Sequence, residues 1–520
     1  MSDELLLAID AGTGSCRAVL FSAAGEQLSA GQREYTHLPE PGVEGSRVFD
    51  TAANWELIGQ CIRAALSQPG IDASAVRAVS ATSMREGMVL YDAAGEELWA
   101  CPNVDGRAGA QAAELIRSGA AQEIYEHGGD WVAITAPPRF LWLARHRPEL
   151  FASIAHVGML GDWIIRKLCG EFVTDPSLGS SSAMFELGAR DWSERILELC
   201  GLERRVFPPV VDPGTVVGHV TAAAASHTGL RAGTPVVTAG ADTQLALLGL
   251  GVSEPGRFTV VGGSFWQHTV VLDEPLVDPE GRLRTLCHTV PRRWMIEGIG
   301  FYCGMVMRWF RDAFCELESE VAAREGVDVY DVLERRAAGC PPGSNGVFGV
   351  FSNVMQANHW IHAAPGFTGF DVDTPAKAGR IECFRAIEEA AAYVSRAHLQ
   401  IVEAITGLAI DQVVMCGGAA KGGLWPQIIA DTLGVPVRIP VVKESTALGA
   451  ALYAGVGAGL YDDAAEVARR IARFERTVEP EAAAVEAYAA LYPQWRELYR
   501  RQLEISEAGL VRPLWRAAGT

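Results

Sequence analysis

The chain has 520 residues, of which 49% are hydrophobic, and single cores stop growing at about 250–300 residues, so we expect two large globular domains. The formal net charge is -19 at pH 7, and an acidic surface repels nucleic acid and anionic membranes, which argues against both as partners. None of the 11 cysteines forms a CxxC pair, and the N-terminus does not read as a signal peptide, so we expect a reduced, cytoplasmic protein.

The first predicted element is a β-hairpin. Two apolar runs, 5–10 and 16–21, flank a Gly/Thr/Ser turn at 12–15, which is a hairpin signal. The amides and hydroxyls of such a turn can bind phosphate. Asp10 could hold a Mg²⁺-bound water, and Arg17 could offset phosphate charge. The turn lacks the ending of a Walker A loop, and a plain glycine-containing hairpin is an equally good interpretation.

A charged pair follows the next predicted strand. A helix at 55–66 and a strand at 76–80 precede Arg85 and Glu86. Arginine offers several donors and glutamate is an acceptor, so the pair could hydrogen-bond the hydroxyls of a polyol. The alternative is a surface ion pair, which contributes little.

An aspartate stands at the end of the first half. Asp242 follows a predicted strand at 235–238 and precedes a helix at 244–250. A carboxylate there could take the proton from an attacking hydroxyl, or it could only cap the helix. Glycine- and proline-containing sequence comes next, so we place the boundary there and predict domains 1–252 and 253–520.

The second half begins as the first does. A strand at 258–261, a glycine-rich turn at 262–264 and a strand at 265–271 repeat the opening pattern. This echo predicts an internal duplication. Two such turns could grip one polyphosphate from both sides of a cleft.

The remaining elements continue an alternation of strands and helices, which indicates α/β architecture. A strand at 411–416 leads through the glycine-rich 417–423 into a helix, a junction whose amides favour a nucleotide. The apolar run 446–460 predicts a close-packed buried helix, and the tail 462–520 is predicted to be helical.

Two histidines, His359 and His362, lie close together within residues 358–362. No cysteine or acid stands at ligand spacing from them, so we expect structural or surface roles rather than metal binding.

Together these motifs resemble the FGGY family of carbohydrate kinases over nearly the whole chain. The family's order is a DxGT turn, a substrate strand, a GxD motif, a second phosphate turn, a GG(A) motif and an E-x-x-ALGAA helix, which reads Glu444 to Ala451 here. Each motif alone is modest, but the ordered set is specific. Further stretches at 83–87, 103–105, 307–315 and 439–444 lie outside the general signature and indicate one particular kinase of the family.

The resemblance implies an α/β protein with the two-domain ribonuclease H-like fold of actin and hexokinase, and with ATP and substrate in the interdomain cleft. It implies ATP-dependent phosphorylation of a sugar-like small molecule, with ATP and Mg²⁺ as cofactors and Asp242 as the general base. Asp10 would lie near Mg²⁺ and contact it through a bound water molecule. The implied substrate-binding residues are Arg85, Glu86, Asp242 and Gln244. The implied ATP-binding residues are Gly12, Thr13, Gly14, Ser15, Arg17, Gly262, Gly263, Ser264, Gly304, Gly417, Gly418 and Gly422.

Several alternatives stay open within and beyond the family. The acceptor could be glycerol, erythritol or a ketopentose, and Arg308 stands where glycerol kinases carry glutamine, which leaves its nucleotide contact open. The resemblance also implies the phosphocarrier protein HPr as a partner. A non-catalytic ligand-binding regulator would share the fold, although retention of Asp10, Thr13 and Asp242 argues against it. An actin- or chaperone-like ATPase would hydrolyse ATP without an acceptor.

Overall fold

A computed structural model describes residues 4–354 and 361–516 of the chain. Within these ranges no helix is both long and apolar enough to cross a membrane. The molecule is built from two large mixed β-sheets, each covered by helices.

The strands of the described residues divide among the two large sheets and three small ones. Their bounds are β1 (Leu5–Ala11), β2 (Ser15–Ser22), β3 (Gln27–Glu34), β4 (Val76–Ser83), β5 (Met88–Tyr91), β6 (Glu97–Cys101), β7 (His156–Met159), β8 (Phe185–Glu186), β9 (Asp191–Trp192), β10 (Val216–His219), β11 (Pro235–Thr238), β12 (Phe258–Gly262), β13 (Trp266–Leu272), β14 (Arg284–Cys287), β15 (Trp294–Gly300), β16 (Phe348–Val350), β17 (Gly366–Thr368), β18 (Val413–Cys416), β19 (Val437–Pro440) and β20 (Phe474–Val478).

The α-helices of the same residues lie mainly between the strands or after them. Their bounds are α1 (Thr51–Leu66), α2 (Gly109–Ser118), α3 (Ala120–Gly128), α4 (Ala136–His146), α5 (Pro148–Ser153), α6 (Leu160–Cys169), α7 (Pro176–Ser180), α8 (Glu194–Leu199), α9 (Ala222–Thr228), α10 (Asp242–Gly249), α11 (Cys303–Phe314), α12 (Glu316–Glu325), α13 (Val329–Ala337), α14 (Arg380–Thr406), α15 (Leu424–Leu433), α16 (Ser445–Gly457), α17 (Ala464–Ile471) and α18 (Ala482–Glu507).

The two large sheets share the arrangement of six strands, and the second sheet has β14 in addition. The first has the order β10-β11-β4-β1-β2-β3, and the second has the order β14-β15-β13-β12-β18-β19-β20. In each, an antiparallel three-stranded meander (β1-β2-β3, or β12-β13-β15) continues on its other side into two parallel strands (β4 and β11, or β18 and β19). The predicted duplication is therefore confirmed as a repeat of the same sheet.

The central strands are buried because both faces of each sheet are covered. All seven residues of β1 are buried, as expected for a strand with parallel neighbours and helices on both sides. The pairing of β1 with β2 sets Asp10 opposite Arg17, and the pairing with β4 sets Asp10 opposite Thr82. The C-terminal ends of the parallel strands β1 and β4 therefore lie at the same edge of the sheet.

Helix α16 returns from the second half to cover the first sheet. Its alanine- and glycine-rich side packs with Leu6, Ala8 and Phe21 in one buried cluster, which confirms the predicted buried helix. It also lies against α10, where a Cβ atom on Gly449 would come within 2.1 Å of the carbonyl oxygen of Leu245. Only glycine permits this approach. Helix α16 comes after residue 252 in the sequence but packs against the first sheet. The domain boundary at that residue therefore stays a prediction.

The tail departs from the all-helical expectation. Residues 474–478 form β20, which pairs antiparallel with β19 at the edge of the second sheet. Burial alternates along this strand between half-buried and exposed residues, and such a two-residue period favours a strand. The helical prediction for the tail was therefore wrong at this segment and right for α17 and α18.

Candidate active site

Asp242 lies at the start of α10, directly after the loop that leaves β11. Ala241 occupies the N-cap position and makes no side-chain cap, while Oδ1 of Asp242 accepts a hydrogen bond of 2.7 Å from the amide of Thr243. The Asp242 side chain keeps 30% of its surface exposed, and its Oδ1 lies 3.8 Å from Nε of Arg85. The carboxylate is therefore free for an acceptor and is not consumed by helix capping.

Burial raises the pKa of Asp242 above the ordinary value of 3.8, while Arg85 opposes the shift and Glu86 adds to it. A raised pKa makes a carboxylate a stronger proton acceptor once it is ionised. The local electrostatics thus suit a general base at this position.

The Arg85–Glu86 pair is buried, so the surface-pair alternative is wrong. Arg85 is 6% exposed and Glu86 is 4% exposed. Burial alone would lower the pKa of Arg85, but Glu297, Glu86 and Asp242 outweigh it and raise that pKa. Arg85 is therefore a permanent cation beside the Asp242 carboxylate.

The backbone at Glu86 is strained. Its φ is +61°, a left-handed conformation that residues other than glycine, asparagine and aspartate rarely adopt. Arg139 donates a hydrogen bond to the carbonyl oxygen of Glu86, and the Ser181 hydroxyl accepts one of 3.4 Å from its amide. Such strain persists only where the surroundings hold it, and it is concentrated at functional sites.

Asp10 and Arg17, which flank the first glycine turn, interact electrostatically with their surroundings, and Asp10 does so with Asp242. Nη1 of Arg17 donates to Glu444 at 2.5 Å, and its Nε lies 3.8 Å from Asp10. Burial raises the pKa of Asp10 to about 7; Arg17 counteracts it, and the negative charges of Asp242 and Glu444 add to it. The predicted residues Asp10, Arg17 and Asp242 therefore lie in one electrostatic cluster.

The tip of this turn faces outward from the cluster. Thr13 and Gly14 are exposed, whereas Gly12 and Ser15 are half-buried. The amide of Gly12 donates to the carbonyl oxygen of Ser15 at 3.0 Å, which closes the turn. The Asn103 amide donates to the Thr13 hydroxyl at 3.0 Å.

Three charged residues that the sequence analysis did not assign complete the cluster around Arg85 and Glu86. Arg284 donates to Glu86 and lies 3.0 Å from Asp130. Nη2 of Arg85 donates to Glu297 at 3.0 Å. Each of the three interrupts a buried stretch with a charge, as Glu297 does between Ile296 and Gly298. For Arg284 and Glu297, a lone charge in an apolar strand was the available signal.

Gln244 lies two residues after Asp242, in α10. It is fully buried, and its Nε2 donates to the carbonyl oxygen of Cys287 at 3.2 Å. Its Oε1 has no hydrogen-bond partner among the described residues. The Gln244 side chain therefore contacts β14 through Cys287 and leaves one buried acceptor without a protein partner in the described part of the chain.

A cavity of about 590 Å³ lies in the second half of the chain. Six of the residues implied to bind ATP line it, namely Gly262, Gly263, Ser264, Gly304, Gly418 and Gly422. Arg308 also lines it, as do the aromatic side chains of Phe384 and Trp425. This combination of glycine loops, aromatic surface and a cation suits a nucleotide.

The glycine loops of the cavity touch one another directly. A Cβ atom on Gly304 would lie 2.1 Å from the carbonyl oxygen of Gly263, and one on Gly417 would lie 2.7 Å from that of Gly262. Gly417 does not line the cavity itself, but it supports the turn that does. Glu334 accepts hydrogen bonds from the amides of Gly423 and Leu424, which orders the start of α15 beneath Gly422.

The predicted residues therefore form two groups. Asp10, Arg17, Arg85, Glu86 and Asp242 belong to a charge cluster at the edge of the first sheet, and none of them lines the cavity. The glycine loops of the second half line that cavity. Transfer of a phosphoryl group would require a ligand that extends from one group to the other.

His362 belongs to neither group. His362 is buried, and burial lowers its pKa to about 3, so it is neutral at physiological pH. His359 lies outside the described residues.

The fold and the site define an ATP-dependent phosphotransferase of the actin and hexokinase class. Two models of the "FGGY family of carbohydrate kinases" match this chain. The model of the family's N-terminal domain matches residues 5–249, and the model of its C-terminal domain matches residues 260–458. The chain belongs to this family, and it is an ATP-dependent carbohydrate kinase.

Relatives and solved structures agree with this assignment. The chain is 46% identical to proteins named autoinducer-2 kinase from Yersinia enterocolitica and Yersinia pestis, over 100% of this chain and 98% of each relative. A xylulose kinase from Rhodospirillum rubrum superimposes with a TM-score of 0.85 at 26% identity, covering 96% of this chain and 98% of that one. A ligand-bound xylulose kinase from Lactobacillus acidophilus superimposes with a TM-score of 0.86 at 19% identity, covering 98% and 100% of the two chains.

Proposed function

We propose that this kinase transfers the γ-phosphoryl group of ATP to the terminal hydroxyl of autoinducer-2, in its linear form 4,5-dihydroxypentane-2,3-dione. The observation that carries the proposal is the 46% identity to autoinducer-2 kinases over the full length of the chain. Phosphorylation adds charge to a small neutral signal and so traps it inside the cell, where it enters quorum-sensing control.

In the proposed mechanism, Asp242 accepts the proton of the attacking hydroxyl. Its Oδ1 is held by the Thr243 amide and lies near Arg85, so the carboxylate is oriented before the acceptor binds. Arg85 and Glu86 bind the other oxygens of the acceptor, and the glycine turns bind the phosphates. Positioning and electrostatics supply most of the acceleration in such transfers.

We propose Mg²⁺ as the cation that accompanies ATP. Within residues 4–354 and 361–516 no three or more His, Cys, Asp or Glu side chains are grouped to hold an ion. Mg²⁺ usually keeps several waters and binds one or two carboxylates together with phosphates. Asp10 fits that role, because it is a buried carboxylate close to Glu444 and Asp242 with a pKa near 7, and a nearby cation would favour its charged form.

The test is a panel of acceptors in an assay coupled to ADP release, with identification of the product by mass spectrometry and ³¹P NMR. The linear dione, glycerol, erythritol and a ketopentose would each be supplied with ATP and Mg²⁺. We expect the dione to have the highest kcat/KM and to yield a monophosphate at its terminal hydroxyl. Phosphorylation of glycerol or a pentose with no reaction of the dione would reject the proposed acceptor while leaving the kinase activity in place.

Two further proposals follow from the family resemblance alone. We infer that the kinase works in the cytoplasm, where ATP is available, and that the phosphocarrier protein HPr is a partner. Co-purification of tagged kinase with HPr at equal molar amounts checks the second inference, and elution of HPr without the kinase would contradict it.

A further inference from the structure

Strand β14 belongs to the second sheet but is hydrogen-bonded to the first half of the chain. The amide of Thr285 donates to the carbonyl oxygen of Gly129 at 2.8 Å, and the amide of Cys287 donates to the Ser180 hydroxyl at 3.0 Å. A Cβ atom on Gly129 would lie 2.3 Å from the carbonyl oxygen of Thr285, so the two backbones are in direct contact. The side chains of this strand therefore have fixed positions relative to the first half.

Two charged side chains, one from β14 and one from β15, contact Arg85 and Glu86. Arg284, on β14, donates to Oε1 of Glu86. Glu297, on β15, accepts a hydrogen bond of 3.0 Å from Arg85, and its Oε1 also lies 3.6 Å from Nε of Arg284. Arg284 and Glu297 thus hold both members of the Arg85–Glu86 pair.

Stability alone does not explain this arrangement. Arg284 is 3% exposed and Glu297 is 0% exposed, and taking such charges out of water is costly. Well-packed apolar residues of similar volume are often as stabilising as a buried ion pair, or more so. A fold that needed only cohesion at this point would not require four buried charges.

Buried polar atoms without partners lie in the same cluster. Nη1 of Arg85 and Oε2 of Glu297 have no hydrogen-bond partner among the described residues. Unsatisfied buried polar groups are uncommon and call for a ligand, an ion or a water. A donor and an acceptor in one cluster suit a small compound that carries both hydroxyl and carbonyl groups.

We propose that Arg284 and Glu297 are positioning residues of the acceptor site, which hold Glu86 and Arg85 in the geometry that binds the hydroxyl and carbonyl groups of the substrate. The proposal rests on the proposed kinase function but not on the identity of the acceptor. Since β14 is fastened to the first half, the acceptor site is formed before the nucleotide binds. The acceptor therefore binds to the enzyme without ATP.

The test compares Arg284→Met and Glu297→Gln with the unaltered enzyme. Initial rates with varied acceptor and varied ATP give separate KM values, and titration calorimetry with the acceptor alone gives its Kd without nucleotide. The acceptor used is whichever compound of the panel the unaltered enzyme phosphorylates. We expect kcat/KM for the acceptor to fall about 100-fold in both variants, the loss that misplacement of a substrate contact causes, and KM for ATP to stay within about twofold.

Two more variants control for folding. Arg293→Met removes an arginine whose partners Asp273 and Glu254 are exposed and lie outside the strands of the second sheet, and we expect no change in its kinetics. Arg284→Lys keeps the positive charge but loses the planar fork, and we expect an intermediate kcat/KM with the melting temperature of the unaltered enzyme.

The outcomes separate the two proposals. An enzyme that phosphorylates no acceptor in the panel rejects the proposed function. An active enzyme whose Arg284→Met and Glu297→Gln variants keep normal kcat/KM overturns the positioning role. If Arg284→Met does not fold, Arg284→Lys decides: a lowered kcat/KM at a normal melting temperature supports the role, and an unchanged kcat/KM overturns it.

Discussion

Substitution of Asp242 by asparagine is the most direct test of the site. Asparagine keeps the size of the side chain and can still accept the hydrogen bond of 2.7 Å from the Thr243 amide, so the start of α10 stays intact. It removes the negative charge and therefore the proton acceptor. Because Asp242 does not line the cavity that we propose holds the nucleotide, we expect binding of ATP to be almost unchanged.

The magnitude follows from two contributions. Loss of a general base lowers a rate by about 10²–10⁴-fold, or about 3–5 kcal/mol in activation free energy. The charge of Asp242 also interacts with Arg85 across 3.8 Å, which corresponds to about 4 kcal/mol at an effective dielectric constant of about 20. The substitution removes this attraction, but Arg85 keeps its pairs with Glu86 and Glu297. Only part of the effect therefore reaches the binding of the acceptor. We therefore expect kcat to fall about 10²–10⁴-fold and KM for the acceptor to rise modestly.

The assay is ADP release with saturating acceptor, combined with nucleotide binding measured by calorimetry. Asp463→Asn is the matched control, because Asp463 caps α17 through the Glu466 amide and asparagine caps helices as well as aspartate does. The control should keep full turnover. An Asp242→Asn enzyme with kcat within about threefold of the unaltered enzyme would refute the assignment of the base.

Three further results are expected. Turnover should fall as the pH drops through the raised pKa of Asp242, because the ionised base is lost there; a pH profile of kcat/KM without an acidic limb above the ordinary range of aspartate would contradict this. Gly304→Ala places a Cβ atom 2.1 Å from the carbonyl oxygen of Gly263, so KM for ATP should rise about tenfold; an unchanged KM for ATP would show that the second turn does not hold the nucleotide. Gly449→Ala forces α16 away from Leu245 and should cost about 1–3 kcal/mol of unfolding free energy, measurable by urea denaturation; a cost below about 0.5 kcal/mol would mean that the helix pair adjusts freely.

The parts of the site that could be predicted from sequence are the local ones. Residues 12–15 and 262–264 carry their own turn chemistry, so a short window identifies them as hairpin turns, and both hairpins are confirmed. The strand ahead of Asp242 was also recognisable, because its apolar run ends at a glycine. These features depend on neighbours in sequence, which is the information that one chain provides.

The parts that could not be predicted depend on contacts between distant segments. Arg284 and Glu86 are 198 residues apart, and Arg85 and Glu297 are 212 apart. A charge inside an apolar strand indicates that a partner exists, but the identity of that partner follows only from the packing of β14 against the first half. The strand β20 escaped prediction for a similar reason, since its charged sequence acquires a strand conformation by pairing with β19.

The charge balance of the cluster supports the proposed cation. Asp10, Glu444 and Asp242 lie around Arg17 and Arg85, so three carboxylates face two arginines at the place where we propose that the phosphates of ATP approach. Like charges at this distance repel, and neither arginine is free of carboxylates. A divalent cation bound with ATP would reverse this repulsion, because the carboxylates would then attract the complex instead of the bare nucleotide. The excess of acid is therefore an argument for the proposal that ATP binds together with Mg²⁺.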